Sequence, residues 1–326
     1  MTTATWNRGR DARTPTEMPA TGWKDTLMRV KKEMGEDNLT MISAAMAFYA
    51  LLAFVPALTS VVLIYAWISD PAEITQHISQ VSSVLPKEMQ EILKDQLTAL
   101  TSKADSTLGL GAIASLGFSL WSASKGTSSL IDALNIIYDE KNERGFFKKT
   151  FVAIGFALLG ALMVILAIGL IVGIPAVFSF VGLDETMKTV ITLASWLALL
   201  ALFSLYLAFS YRYAPDRKKA QWKWVSPGAV FASVVWVIAS GLFSWYATEF
   251  GSYNKTYGSM GAIIVLMMWF YITSFVVLLG GEINAELEHQ TKKDTTTGSP
   301  KPMGSRQATM ADHLGESYEG KKPHRA

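Results

Sequence analysis

Polar groups inside apolar segments are expensive and mark candidate ion, proton or substrate pathways, so the search for chemistry begins with them. In the stretch Ser122 to Tyr138, Lys125 and Asp132 stand seven positions apart, which returns to nearly the same face of a helix about two turns on. With Ser128, Ser129 and Asn135 they would form a polar stripe, the ammonium attracting an anionic group and the carboxylate exchanging a proton or an ion pair. The alternative is that both lie at the membrane surface, with Lys125 snorkelling to headgroups. Glu282 and Glu286, four apart with Asn284 between them, share a face where they could hold a cation or proton. They could equally have followed the helix into water, beside basic loops. A compact turn, Phe250 to Ser259, sets Gly251 and Gly258 around two tyrosines suited to the membrane interface.

Little else is equipped for catalysis. The four histidines are scattered and no cysteine is present, so there is no HExxH, no metal-ligand spacing and no thiol nucleophile. No GxSxG, Walker A loop or dinucleotide fingerprint stands in a suitable context. We expect no enzyme activity, no metal and no bound cofactor.

The elements that must position these residues are long and apolar. Of 326 residues, 50% are hydrophobic and 17% charged, with a net charge of +2. Soluble domains carry about 25% charged residues, so part of this surface meets a different solvent. Uncharged runs cover 39–69, 106–124, 150–183, 189–211, 225–248 and 256–281. A bilayer crossing takes roughly 20 apolar residues, and all but the second run meet that directly. Gly109, Gly111, Gly117 and Gly126 weaken the second, but its small residues suit an interior helix continuing to Ile137; a re-entrant hairpin is the competing reading. The expectation is an all-α membrane protein, a bundle of six transmembrane helices at about 39–69, 106–137, 150–183, 189–211, 225–248 and 256–286. A soluble enzyme is excluded, and the near-zero net charge argues against a nucleic-acid partner.

Charge sets the orientation. Of the 29 Lys and Arg residues, 24 fall in alternate segments between these uncharged runs, both ends of the chain included, and 5 in the others. Basic residues stay inside, so both termini are expected in the cytoplasm. Residues 1–38 hold no apolar stretch long enough for a secretory signal, leaving the first span to direct insertion. Within them Trp23, Leu27, Val30 and Met34 recur at helical spacing, which predicts an interfacial helix or a basic flank. The external connection from Asp70 to Asp105 reads as two short amphipathic helices interrupted at Pro86, forming a cap or a lid. Residues 289–326 are polar and predicted to be a disordered cytoplasmic tail. Pro56 and Pro175 would kink their helices, and Gly169 with Gly173 forms a packing motif.

SAAMAFYALLAFVPAL (Ser43 to Leu58), SASKGTSSLIDALNIIY (Ser122 to Tyr138) and FGSYNKTYGSMGAIIVLMMWFY followed by LLGGEINAELEH resemble the YihY/BrkB family of bacterial membrane proteins, over about residues 25 to 290. That family carries the names virulence factor BrkB and, by an older label, ribonuclease BN. The resemblance implies a six-span protein of the bacterial inner membrane. It marks Tyr49, Pro56, Gly251, Ser252, Tyr253, Asn254, Thr256, Tyr257, Gly258, Glu282, Asn284 and Glu286, together with Lys125, where the family pattern more often carries arginine. Lysine keeps the charge but not bidentate binding. The ribonuclease label fits these residues badly, since they offer neither a metal site nor a basic aromatic groove for RNA. The expected function is transport or export of an amphiphilic, lipid-like or anionic envelope molecule through Lys125, Asp132, Asn135, Glu282, Asn284 and Glu286. The partners would be the bilayer and an anionic lipid or amphiphile. The rival is a non-transporting scaffold for envelope or cell-surface assembly.

Overall fold

The computed structural model describes residues 8–68, 108–170, 184–249 and 259–318, without the side chains of 55–68, 108–116, 119, 168, 185, 247–249, 259, 260 and 262. Among them α1 is Ala20–Glu36, α2 Leu39–Ile68, α3 Leu108–Ile137, α4 Phe146–Ile168, α5 Glu185–Tyr213, α6 Trp222–Glu249, α7 Ser259–Glu288 and α8 Thr309–Asp312. There is no sheet among the described residues; one isolated antiparallel bridge joins Ala220 and Thr296.

The apolar runs become these helices because, where no water is available, a helix satisfies its own backbone groups. Polar residues set the ends. Asp184 caps α5 by accepting a hydrogen bond from the Met187 N–H at 2.7 Å, while Asn38 and Asp139, at φ of 53° and 50°, turn the chain after α1 and α3. Four helices are long and apolar enough to cross a membrane on their described residues: Phe146–Ala167, Thr186–Tyr213, Trp222–Tyr246 and Ile263–Glu288. A fifth is added if Ala20–Glu36 and Leu39–Phe54, bent by 63°, form one broken span. Helices α2 and α3 are 30 residues each, about 45 Å of helix.

The six long helices touch in chain order, α2 to α3 and onward to α7, which returns to α2 and closes the ring. The α4–α5 junction is the thinnest of these neighbour contacts among the described residues. The buried core gathers at the end of the bundle that meets the chain termini, around Leu39, Ile131, Leu134, Tyr138, Leu207, Tyr211, Val225 and Leu278. Along the shafts Leu158, Leu162, Ile165, Leu193, Trp196, Ile238 and Leu242 point outward, as a lipid solvent requires.

Two expectations need correction. Residues 289–318 of the tail are folded, with Gln290, Thr291, Thr295, Thr296, Met310 and Ala311 buried. Hydrogen bonds achieve this where apolar content could not. The Arg306 guanidinium donates to the carbonyls of Lys292, Lys293, Lys301 and Ala311, and Thr291 Oγ1 donates to the Ala12 carbonyl at 2.7 Å. On α1 the buried face is Gly22, Asp25, Thr26, Arg29 and Val30, whereas Leu27 of the expected apolar stripe is half exposed. Helix α1 packs on α7 through the Arg29–Glu286 ion pair and through Val30, with Trp23 and Met34, against Ile283, Leu287 and Leu279. The expected cap between Asp70 and Asp105, the turn Gly251, Ser252, Tyr253, Asn254, Thr256, Tyr257 and Gly258, and Gly173 and Pro175 lie outside the described residues, as does the side chain of Pro56.

Candidate functional site

The last turns of α7 carry carboxyls into the core, and their partners decide what each can do. Glu286 is buried and ion-paired with Arg29 Nε; Arg29 also donates to the Glu286 carbonyl at 2.9 Å and to the Glu316 carbonyl at 2.8 Å. Glu288 accepts from Arg217 Nη2 at 2.6 Å and from Thr295 Oγ1 at 2.7 Å; both Arg217 and Glu288 side chains are fully buried, and the guanidinium lies 4.3 Å from the centre of the Tyr138 ring. Asn284 Oδ1 accepts from the Gly228 N–H at 2.8 Å while its Nδ2 donates to the Val225 carbonyl at 2.9 Å, next to Pro227, which has no N–H for the helical ladder. These three residues join elements.

Glu282 differs. It is 0% exposed and neither carboxyl oxygen has a hydrogen-bond partner among the described residues. The charges acting on it most strongly belong to Asp37, Glu286, Glu33 and Asp139, so α1, α3 and α7 bring an acidic cluster together around it. Outside the membrane segments, burial followed by the charges of Asp139, Glu33, Glu36 and Glu286 pushes the Asp37 carboxyl up to about 7. Burial also raises Asp139, against the opposing pull of His289. No group of three or more His, Asp or Glu arranged for a metal ion occurs among the described residues.

The expected stripe on α3 does not come together. Lys125 is exposed, its ammonium 5.1 Å from the centre of the Trp121 ring, with no carboxylate partner among the described residues. Asp132 instead pairs with Lys149 at 2.7 Å. Asn135 is buried, donating to the Ile131 carbonyl at 2.7 Å and accepting the Asp216 N–H at 2.8 Å, which fastens the 214–217 connection to α3. Tyr49 is half exposed at the α2–α3 contact, where a Cβ on Gly126 would stand in ordinary van der Waals contact, 3.6 Å from the Tyr49 carbonyl oxygen.

Sequence reasoning passed over Arg29, Asp37, Asp139 and Arg217. Arg29 carried a signal, since Gly22, Asp25, Thr26 and Arg29 follow helical spacing as a polar face. Arg217 carried none, because its partner is 71 residues away. A second missed feature is an open cavity of about 710 Å³ whose lining includes Arg144, Lys148, Gly155, Phe156, Phe209 and Lys219, at the thin α4–α5 junction.

The virulence factor BrkB family matches residues 30–304. Among curated proteins, the ribonuclease-like protein YfkH of Bacillus subtilis (strain 168) is 35% identical over 261 residues, 77% of this chain and 90% of its own. A UPF0761 membrane protein of Aliivibrio salmonicida is 28% identical over 264 residues, 79% of this chain and 81% of its own. One from Idiomarina loihiensis is 22% identical over 263 residues, 79% of this chain and 88% of its own. No solved structure matches the chain. Its long apolar helices are those of a multi-pass membrane protein, and the chain belongs to the virulence factor BrkB family.

Proposed function

We propose that this protein is a six-span transporter of the bacterial inner membrane, with both termini in the cytoplasm, that moves an amphiphilic, lipid-like or anionic envelope molecule without a bound cofactor. The observation that carries this reading is Glu282, a carboxyl of the last span with no exposure and no hydrogen-bond partner among the described residues. An unpaired buried charge costs several kcal/mol or more, and a packed bundle has no use for such a group. A group that takes up and releases a proton during transport does. Of the polar residues expected to line a pathway, Asp132, Asn135, Asn284 and Glu286 are engaged in pairs or bonds that hold helices together. The working roles therefore narrow to Glu282 as the exchanging carboxyl and to Lys125, exposed on α3 against the Trp121 ring, as the group that attracts an anionic headgroup. The ribonuclease-like name belongs to the relative that carries it.

The test is transbilayer movement of a fluorescent phosphatidylglycerol in proteoliposomes. Wild-type protein should accelerate it over protein-free vesicles, and Lys125→Ala should slow it at least fivefold. An unchanged rate in Lys125→Ala removes the role given to that residue. The scaffold reading draws on a different observation, the folding of the N-terminal and C-terminal segments against each other. It predicts no acceleration by wild type.

A further inference from the structure

The thin contact between α4 and α5 leaves a groove with two chemistries. Its floor is apolar, formed by Val152, Phe156 and Leu159 of α4 and by Phe209 of α5, with Phe156 and Phe209 in edge contact at 5.9 Å. Its rim is basic. Arg144 is neutralised, its Nε 3.0 Å from Asp216, and Arg217 is committed to Glu288, but Lys148 has no carboxylate partner among the described residues and Lys219 has only the ring of Tyr213, 4.6 Å away. Phe146, Phe147 and Phe151, each at least two-thirds exposed, stand at the start of the membrane-length apolar stretch Phe146–Ala167, beside Lys148 and Lys149. At about 710 Å³ the cavity falls in the range of small-ligand sites.

We propose that this groove is a binding site for an anionic phospholipid, with the headgroup phosphate between Lys148 and Lys219 and an acyl chain over Phe156 and Phe209. Lipid tails are as apolar as the groove, so the tail gains little by leaving the bilayer and the apolar floor supplies shape rather than selection. The two lysines select, because basic pockets between spans on the cytoplasmic side favour anionic headgroups. Gly155 keeps the floor open: a Cβ built there meets nothing within 4 Å, so a larger side chain enters the groove instead of the helix contacts. The inference rests on the transport reading for placing this end of the bundle at the cytoplasmic leaflet, and it gives that reading a substrate class.

The experiment is native mass spectrometry of the full chain in neutral detergent, titrated with phosphatidylglycerol, phosphatidylethanolamine or inorganic phosphate. Wild type should retain phosphatidylglycerol at least tenfold better than phosphatidylethanolamine. Lys148→Gln with Lys219→Gln should abolish that preference, and Lys148→Arg with Lys219→Arg should keep it. Gly155→Leu should lose the lipid while its thermal melt stays at or above that of wild type, since leucine favours a helix over glycine. Equal retention of the two lipids by wild type, retention unchanged in the double Gln variant or in Gly155→Leu, or displacement of phosphatidylglycerol by inorganic phosphate would overturn the proposal. Lipid retained without transbilayer movement would leave the site standing and remove the transport reading. Movement without lipid selection would do the reverse.

Discussion

Asp37 ends α1 beside the carboxyls that surround Glu282, and this position makes one residue responsible for a share of the protein's pH dependence. Its carboxyl titrates near 7 in the fold against 3.8 for the free group, because burial and then Asp139 and its glutamate neighbours oppose ionisation. Between those values the folded chain holds a proton that the unfolded chain has released, so stability declines as pH rises from about 4 to about 7 and levels off above. Asp37→Asn removes the decline. Its melting temperature should exceed that of wild type at pH 8 and coincide with it near pH 4; equal melts at pH 8 would contradict this account. The Arg217–Glu288 pair acts in the opposite sense, as a buried charge already matched. Arg217→Met strands Glu288 and should cost about 3–5 kcal/mol in a detergent melt, while adding Glu288→Leu should restore most of it. Glu282 and Glu286 stood out in the sequence as a pair on one face, but their separate fates did not. Arg29, which fixes Glu286, lies 257 residues away, and local spacing cannot reach that far.

Helices α6 and α7 approach as closely as backbone allows. A Cβ at Gly228 would lie 1.9 Å from the Gly280 carbonyl oxygen, and one at Gly280 would lie 2.6 Å from both the Gly228 carbonyl and Tyr211 Oη. Gly228→Ala must push the helices apart and should destabilise by at least about 3 kcal/mol. Gly35→Ala, where a Cβ meets nothing within 4 Å, should instead stabilise α1 by about 0.5–1 kcal/mol. Similar melts for the two variants would remove the close contact as a source of stability. The six long helices were legible because each follows from an uncharged run, five of membrane length and the second somewhat short. The run expected at 106–137 is a helix from Leu108 to Ile137, and that at 225–248 one from Trp222 to Glu249. The face of α1 was legible in part: Val30 is buried and Trp23 and Met34 pack beside it, but Leu27 faces outward because Asp25 and Arg29, paired with Arg8 and Glu286, take the adjoining buried positions.

At the scale of the whole molecule, residues 8–19 and 289–318 fold against each other on the bundle. Gln290 donates to the Arg8 carbonyl, Arg10 donates to the Gly315 carbonyl, and the Tyr318 N–H donates to Asp25. Composition could not announce this, since it weighs apolar content and the tail is held by carbonyl-to-guanidinium bonds. Arg306→Ala should make residues 293–318 at least tenfold more sensitive to limited proteolysis while leaving the helical content unchanged. Unaltered cleavage would show that the tail is held by something else. A topology reporter fused at Gln90 should read outside the cytoplasm if six spans are correct; a cytoplasmic signal would remove the second span. The central claim, transport through a carboxyl that exchanges a proton, is tested most directly by fluorescent phosphatidylglycerol movement in proteoliposomes with and without an imposed pH gradient, comparing wild type with Glu282→Gln. The account predicts that the gradient changes the wild-type rate at least threefold and leaves the Glu282→Gln rate unchanged. A wild-type rate equal to that of protein-free vesicles, or the same gradient response in both proteins, would contradict it.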